Sequence, residues 1–176
     1  MRMIGHLSLA FFLVACAASP PLAVNPQAAP DQDASRVAIA KVIDDWHDAA
    51  AHADEARYFG HFTPDAVFLG TDATERWELE AFRAYSHPHF AKGKAWSFRA
   101  ASRHVTFAPG SLTAWFDEAL ETPNLGPARG SGVVVRDAAT GRWAIAQYNL
   151  SVPIPNERFA EVKRVIAAPA TDAGKP

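Results

Sequence analysis

The sequence predicts an α+β domain in which helices come first and a run of strands closes the chain. Three observations predict it. Apolar residues recur at helical spacing from Ile39 to Ala50 and again from Leu79 to Tyr85. After Trp96 the period falls toward two, as half-buried strands require. Pro109-Gly110 and the segment Asp137 to Gly141 then punctuate those strands as turns. The chain has 176 residues, 49% of them apolar and 20% charged, which suits one globular domain with a substantial core. Its 17 Lys and Arg face 19 Asp and Glu without forming a basic block. Binding a phosphate backbone needs a cationic stripe, so nucleic acid is not an expected partner.

Residues 1–15 read as an export signal: Arg2 gives a positive start, and Leu7 to Ala15 an apolar run too short to span a bilayer. Leu13-Val14-Ala15-Cys16 resembles a bacterial lipobox, whose cysteine thiol takes diacylglycerol and becomes the first mature residue. That resemblance implies lipidation of Cys16. Ala17 in place of Asp implies anchoring at the periplasmic face of the outer membrane. Ala15-Cys16-Ala17 also fits the cleavage site of a simply secreted protein, which is the alternative. Cys16 is the single cysteine, so the mature domain holds no disulfide and its stability must come from packing. Residues 16–34, rich in Pro, Ala, Gln and Asp without periodicity, read as a tether.

The domain proper is expected over 35–167. Ser35 caps a first helix with Ile39, Ile43, Trp46 and Ala50 on its buried face and Lys41, Asp44, Asp45 and Asp48 on its wet face. Asp54 caps a shorter helix that turns Tyr58, Phe59 and Phe62 inward and stops at Thr63-Pro64. Ala66 to Gly70 is a strand. A third helix starts near Glu78, buries Leu79, Phe82 and Tyr85, and ends around Pro88. Beyond it, Trp96 and Phe98 share one parity, whereas Val105 and Phe107 share the other. One strand cannot bury both sets on one face, so a bulge is expected between Arg99 and His104. Leu112, Ala114, Phe116, Glu118 and Leu120 share a face of the next strand. Pro123 to Pro127 is a loop, and Arg129 to Arg136 pairs with Arg142 to Val152 as a hairpin. Asn156 caps a last helix with Phe159, Val162 and Ile166 inward. Residues 168–176 read as a disordered tail.

The stretches DAVFLGTDATERWELEAFRAY (Asp65 to Tyr85), RGSGVVV (Arg129 to Val135) and RWAIAQYNLSVPIPN (Arg142 to Asn156) resemble the SnoaL-like branch of the nuclear transport factor 2 and ketosteroid isomerase superfamily. The resemblance covers roughly Val37 to Glu161. It implies a cone, in which a curved and mainly antiparallel sheet wraps around the N-terminal helices and leaves a pocket. It also implies a homodimer through the outer face of the sheet. Trp143, Ile145, Gln147 and Asn149 of the closing strand would look inward. Many relatives carry histidine at the place of Asn149, and its absence weakens a histidine-based acid–base mechanism. The superfamily hosts isomerases, cyclases, dehydratases and assembly domains, so fold alone assigns no reaction.

Two carboxylates are candidates for chemistry. Glu118 stands among apolar neighbours on its strand face, where a carboxylate must be paired, hydrogen-bonded or protonated. The bland reading is a strand-end glutamate that reaches solvent or pairs with an arginine such as Arg129. Asp72 lies in a polar stretch beside Trp77. It reads equally as a pocket-rim carboxylate and as a turn residue bonding its own backbone. Trp77, Phe116, Glu118, Gln147 and Asn149 are the expected ligand-binding residues. Trp77, Trp96 and Trp115 could all line a ligand site, although large aromatics in such a domain are more often core or dimer contacts. His87-Pro88-His89, with His61 or His47, invites a metal, but no acidic or cysteine partner stands at ligand spacing, so no metal is expected. Ser131 in Arg129-Gly130-Ser131-Gly132 sits on a strand and makes no nucleophile elbow, and a phosphate-cradling glycine loop is lacking.

Two functions remain in view. The favoured one is an envelope-anchored, non-catalytic module that holds a small apolar molecule or a partner protein. The alternative is a cofactor-independent isomerase, cyclase or dehydratase. There Glu118 or Asp72 would carry the proton, and Asn149, Gln147 or Tyr58 would donate a hydrogen bond.

Overall fold

A computed structural model describes residues 31–110 and 112–168. The expected signal peptide, Cys16, most of the expected tether and residues 169–176 lie outside the described residues. The first helix, α1 (Gln32–Ala51), starts earlier than expected. Asp31 rather than Ser35 is its cap, accepting from the backbone N–H groups of Asp33 and Ala34. Ser35 is instead buried within the first turn. Helix α2 (Glu55–Phe59) is capped by Asp54, whose carboxylate accepts from the Arg57 N–H at 3.1 Å.

Thr63-Pro64 does not end a helix. Phe62 already opens strand β1 (Phe62–Leu69), which runs through the proline. There β1 bulges: Phe62 pairs with Ile145, but Val67 pairs with Gln147, so the proline falls where the ladder is interrupted and no N–H is missed. A short strand β2 (Arg76–Glu78) folds back on β1 and leads into α3 (Leu79–Ala91). Pro88 sits inside α3 rather than ending it, and Tyr85 is 48% exposed instead of buried.

Strands β3 (Arg99–Phe107), β4 (Thr113–Glu121), β5 (Ala128–Arg136) and β6 (Trp143–Ser151) follow as an antiparallel meander. The six strands lie in the order β2-β1-β6-β5-β4-β3, with only β1 and β6 parallel. The sheet is curved and unclosed. Strand β3 slips register against β4 between Ala100 and Ser102, inside the interval where the parity change demands a bulge.

The concave face and the apolar side of α1 close on one core. Ile39, Ile43 and Trp46 pack against Phe116, Val134, Ile145 and Tyr148, with Tyr58, Phe59, Phe62 and Phe82 filling the end nearer α2 and α3. On β4 the alternation holds from Ala114 to Leu120, but Leu112, before the strand begins, is exposed. The last helix, α4 (Phe159–Ala167), follows a 3₁₀ turn over Asn156–Arg158 and does not bury the expected face. Phe159 and Ile166 are 61% and 76% exposed, and α4 packs chiefly against the turn that precedes it. Asn156 makes no side-chain cap there. Among the described residues no helix is long and apolar enough to cross a membrane.

Candidate functional site

The concave face of β4 delivers one carboxylate to the interior. Glu118 is fully buried, and three hydrogen bonds and an ion pair converge on it. His47 Nε2 lies 2.8 Å from Oε1, and the Tyr148 hydroxyl donates to the same oxygen at 3.0 Å. Arg103 holds Oε2 with Nε at 2.9 Å and Nη2 at 2.8 Å. Arg103 also reaches Asp44 on α1 at 2.8 Å, which carries the network to the surface. Gly130 makes room for it. A Cβ there would strike the Tyr148 hydroxyl and approach Glu118 Oε1 to 2.8 Å.

The electrostatics follow from this geometry. Burial pushes the Glu118 carboxyl upward, but the hydrogen bond and charge of His47 and then Arg103 outweigh it and hold the group below its ordinary value. The tyrosine beside it goes the other way. Burial, then the Glu118 charge, drives the Tyr148 hydroxyl well above its usual range and keeps it a donor. Glu118 is therefore an ionised carboxylate with both oxygens occupied.

The aromatic open space lies apart from Glu118. A cavity of about 240 Å³ sits between β1, β2, α3 and the start of β3. Phe68, Trp77, Phe82, Tyr85, Trp96 and Phe98 supply its rings, Leu125 and Leu150 add aliphatic wall, and Thr71, Glu75, Thr122 and Asn124 give its polar groups. The rings brace one another: Phe68 stacks on Phe82 at 3.9 Å between centroids, and Trp77 on Tyr85 at 4.5 Å.

Trp77 lines this cavity and Glu118 does not. Phe116 lies in the core against Tyr148, away from the opening. Gln147 and Asn149 are not on the inner face with Trp143 and Ile145. The β5–β6 register shifts so that Val134 faces Ile145 while Val133 faces Gln147, and the inserted residue turns Tyr148 inward instead. Asp72 is exposed and bonds the Thr74 N–H and hydroxyl with Oδ1, which holds its carboxyl below the usual range; it serves its own turn. Tyr58 is enclosed in the core, where burial raises its hydroxyl well above the usual range. Trp115 stands 49% exposed on the convex face, whereas Trp96 joins the cavity wall.

The histidines do not converge. His61 pairs with Asp45, His87 with Glu55 and His47 with Glu118. No group of three or more His, Cys, Asp or Glu positioned to hold a metal occurs among the described residues.

Sequence reasoning offered Arg129 to Glu118 and missed Arg103, His47 and Tyr148. Two signals were present. His47 follows Ile43 by four residues on the buried face of α1, and Arg103 stands opposite Glu118 once the β3 bulge is counted.

A family model for the SnoaL-like domain matches residues 39–155. The chain belongs to the SnoaL-like family. A comparison with curated proteins found no match. Among solved structures, this SnoaL-like domain is similar to a candidate scytalone dehydratase from Novosphingobium aromaticivorans, with a TM-score of 0.59 and 10% identity over 70% of this chain and 87% of that one. A nuclear transport factor 2-like protein of unknown function from Pseudomonas putida gives 0.58 and 16% over 71% and 91%. A candidate ketosteroid isomerase from Parabacteroides distasonis gives 0.53 and 18% over 66% and 86%. At these identities the likeness is one of fold, and it agrees with the α+β cone.

Proposed function

We propose that this SnoaL-like domain binds a small flat molecule in the aromatic cavity and does not turn it over. One observation carries the reading: six rings line the cavity, and fully buried Glu118 is absent from it. A pocket of rigid aromatic faces binds by apolar burial and stacking, both available without any acid or base. Glu118, with all its partners internal, fits a role in holding α1, β3, β4 and β6 together.

Titration of intrinsic tryptophan fluorescence with 1-naphthol tests the pocket, because Trp77 and Trp96 form its walls. Saturable quenching that Trp77→Ala weakens at least about tenfold supports binding there. No saturable signal, together with no copurified small molecule in native mass spectrometry, would refute it. The enzymatic alternative draws on the names of the dehydratase and isomerase relatives and on His47, which borders a groove shared with Phe98. Turnover of a carbonyl compound that Glu118→Gln abolishes without unfolding the domain would favour it.

We further propose that the domain is held at the outer membrane through lipidated Cys16, a reading supported by the Leu13 to Cys16 run. Cys16→Ser should release the protein from membrane fractions. A homodimer through the convex sheet face is part of the same proposal. Exposed Trp115 supports it, and light scattering of Trp115→Asp should report monomer if it is right.

A further inference from the structure

The charge of the cavity wall is as distinctive as its apolarity. Among the described residues, Glu75 is the only carboxylate on it, and no lysine, arginine or histidine lines it. Glu75 makes no ion pair among the described residues, in contrast with fully paired Glu118. Its Oε2 accepts a single backbone hydrogen bond, from Asp72 N–H at 3.1 Å. The turn is shaped to put the carboxylate there: a Cβ at Gly70 would collide with the Glu75 carboxylate and lie 2.9 Å from its Cβ. Asp72 on the same turn adds a second negative charge nearby. One base stands beside the wall without lining it: His89 packs against Tyr85 and Trp96 at 5.9 and 6.2 Å between ring centroids. Arg76 approaches Glu78, and Lys94 borders the neighbouring cleft.

Aromatic rings attract cations, and with one carboxylate and no cationic side chain on the described wall, the charge of the site is negative. A neutral or anionic guest leaves that potential unanswered. We infer that the ligand of this cavity is an organic cation, a quaternary ammonium or protonated amine carried on an apolar body, with the charge set between the rings and Glu75. This rests on the proposed binding role of the cavity and names the class of molecule it takes. Anionic polar metabolites are disfavoured by the same wall.

Benzyltrimethylammonium and its uncharged carbon isostere neopentylbenzene differ in charge and hardly in shape, and both can be titrated against the full domain by tryptophan fluorescence. The cation should bind at least about tenfold more tightly, although the isostere is the more hydrophobic. Glu75→Gln keeps an oxygen for the Asp72 N–H and should reduce that preference to within about threefold. Trp77→Leu, which keeps apolar volume but removes a π face, should weaken the cation and leave the isostere nearly unchanged. Equal affinities, or tighter binding of the isostere, would overturn the cation inference while sustaining the apolar pocket. Binding of neither probe would bring down both. A cation preference untouched by either variant would place that binding outside this cavity and also overturn the inference.

Discussion

Arg103 and Glu118 face each other across the β3–β4 pair, and the guanidinium holds Oε2 of the carboxylate through Nε at 2.9 Å and Nη2 at 2.8 Å inside the domain. This pairing, with His47 and Tyr148 on the other oxygen, makes Glu118 a structural anchor between helix and sheet.

Breaking a buried network by removing its acceptor strands every donor at once. Glu118→Leu should therefore destabilise the domain by about 3–5 kcal/mol. Glu118→Gln retains one oxygen and should cost less, about 1–3 kcal/mol. Urea unfolding of both variants measures this, and 1-naphthol affinity of the folded fraction should stay at the wild-type value. A tolerated leucine would contradict the anchoring role.

Acid stability should carry the signature of the same group. Folding lowers the Glu118 pKa, so as pH falls the unfolded chain takes up its proton first, near the ordinary value of about 4.3. The stabilisation is complete above that pH and is lost as pH falls through the lower folded value. The stability gap between wild type and Glu118→Gln should accordingly narrow below about pH 4.3. A gap that stays constant between pH 6 and pH 3 would exclude the linkage.

Gly130 tests the crowding around the anchor. Gly130→Ala adds one carbon where the Tyr148 hydroxyl and Glu118 Oε1 already sit, so it should cost about 1–3 kcal/mol through overpacking. Pairing it with Tyr148→Phe should recover part of the loss, because the clashing oxygen is gone. Strictly additive costs in that double-mutant cycle would argue against direct contact.

Truncation after Pro155 should be nearly silent. Helix α4 exposes Phe159, Val165 and Ile166 and packs chiefly on its own preceding turn, so removing it should change unfolding free energy by no more than about 0.5 kcal/mol. A larger drop would mean that α4 buries its apolar face on the domain in solution.

The α+β class, the core face of α1, the Asp54 cap, the β3 bulge and the closing hairpin are all readable in the chain, since each is written in local periodicity, capping or parity. Where local rules compete with distant pairing, reading along the chain fails. Pro64 looks like a helix stop but sits in a bulge opposite β6, and Pro88 is carried inside α3. The one-residue slip between β5 and β6 exchanged Gln147 and Asn149 for Tyr148 on the inner face, because strand parity passes unchanged along a sequence until a partner strand imposes a shift. Glu118 is legible as an odd carboxylate on an apolar face. That its partners are Arg103, His47 and Tyr148 is not, since those residues lie 15, 71 and 30 positions away. Only the packing of helix on curved sheet decided which of the two candidate places, the carboxylate or the aromatic wall, was left with open space.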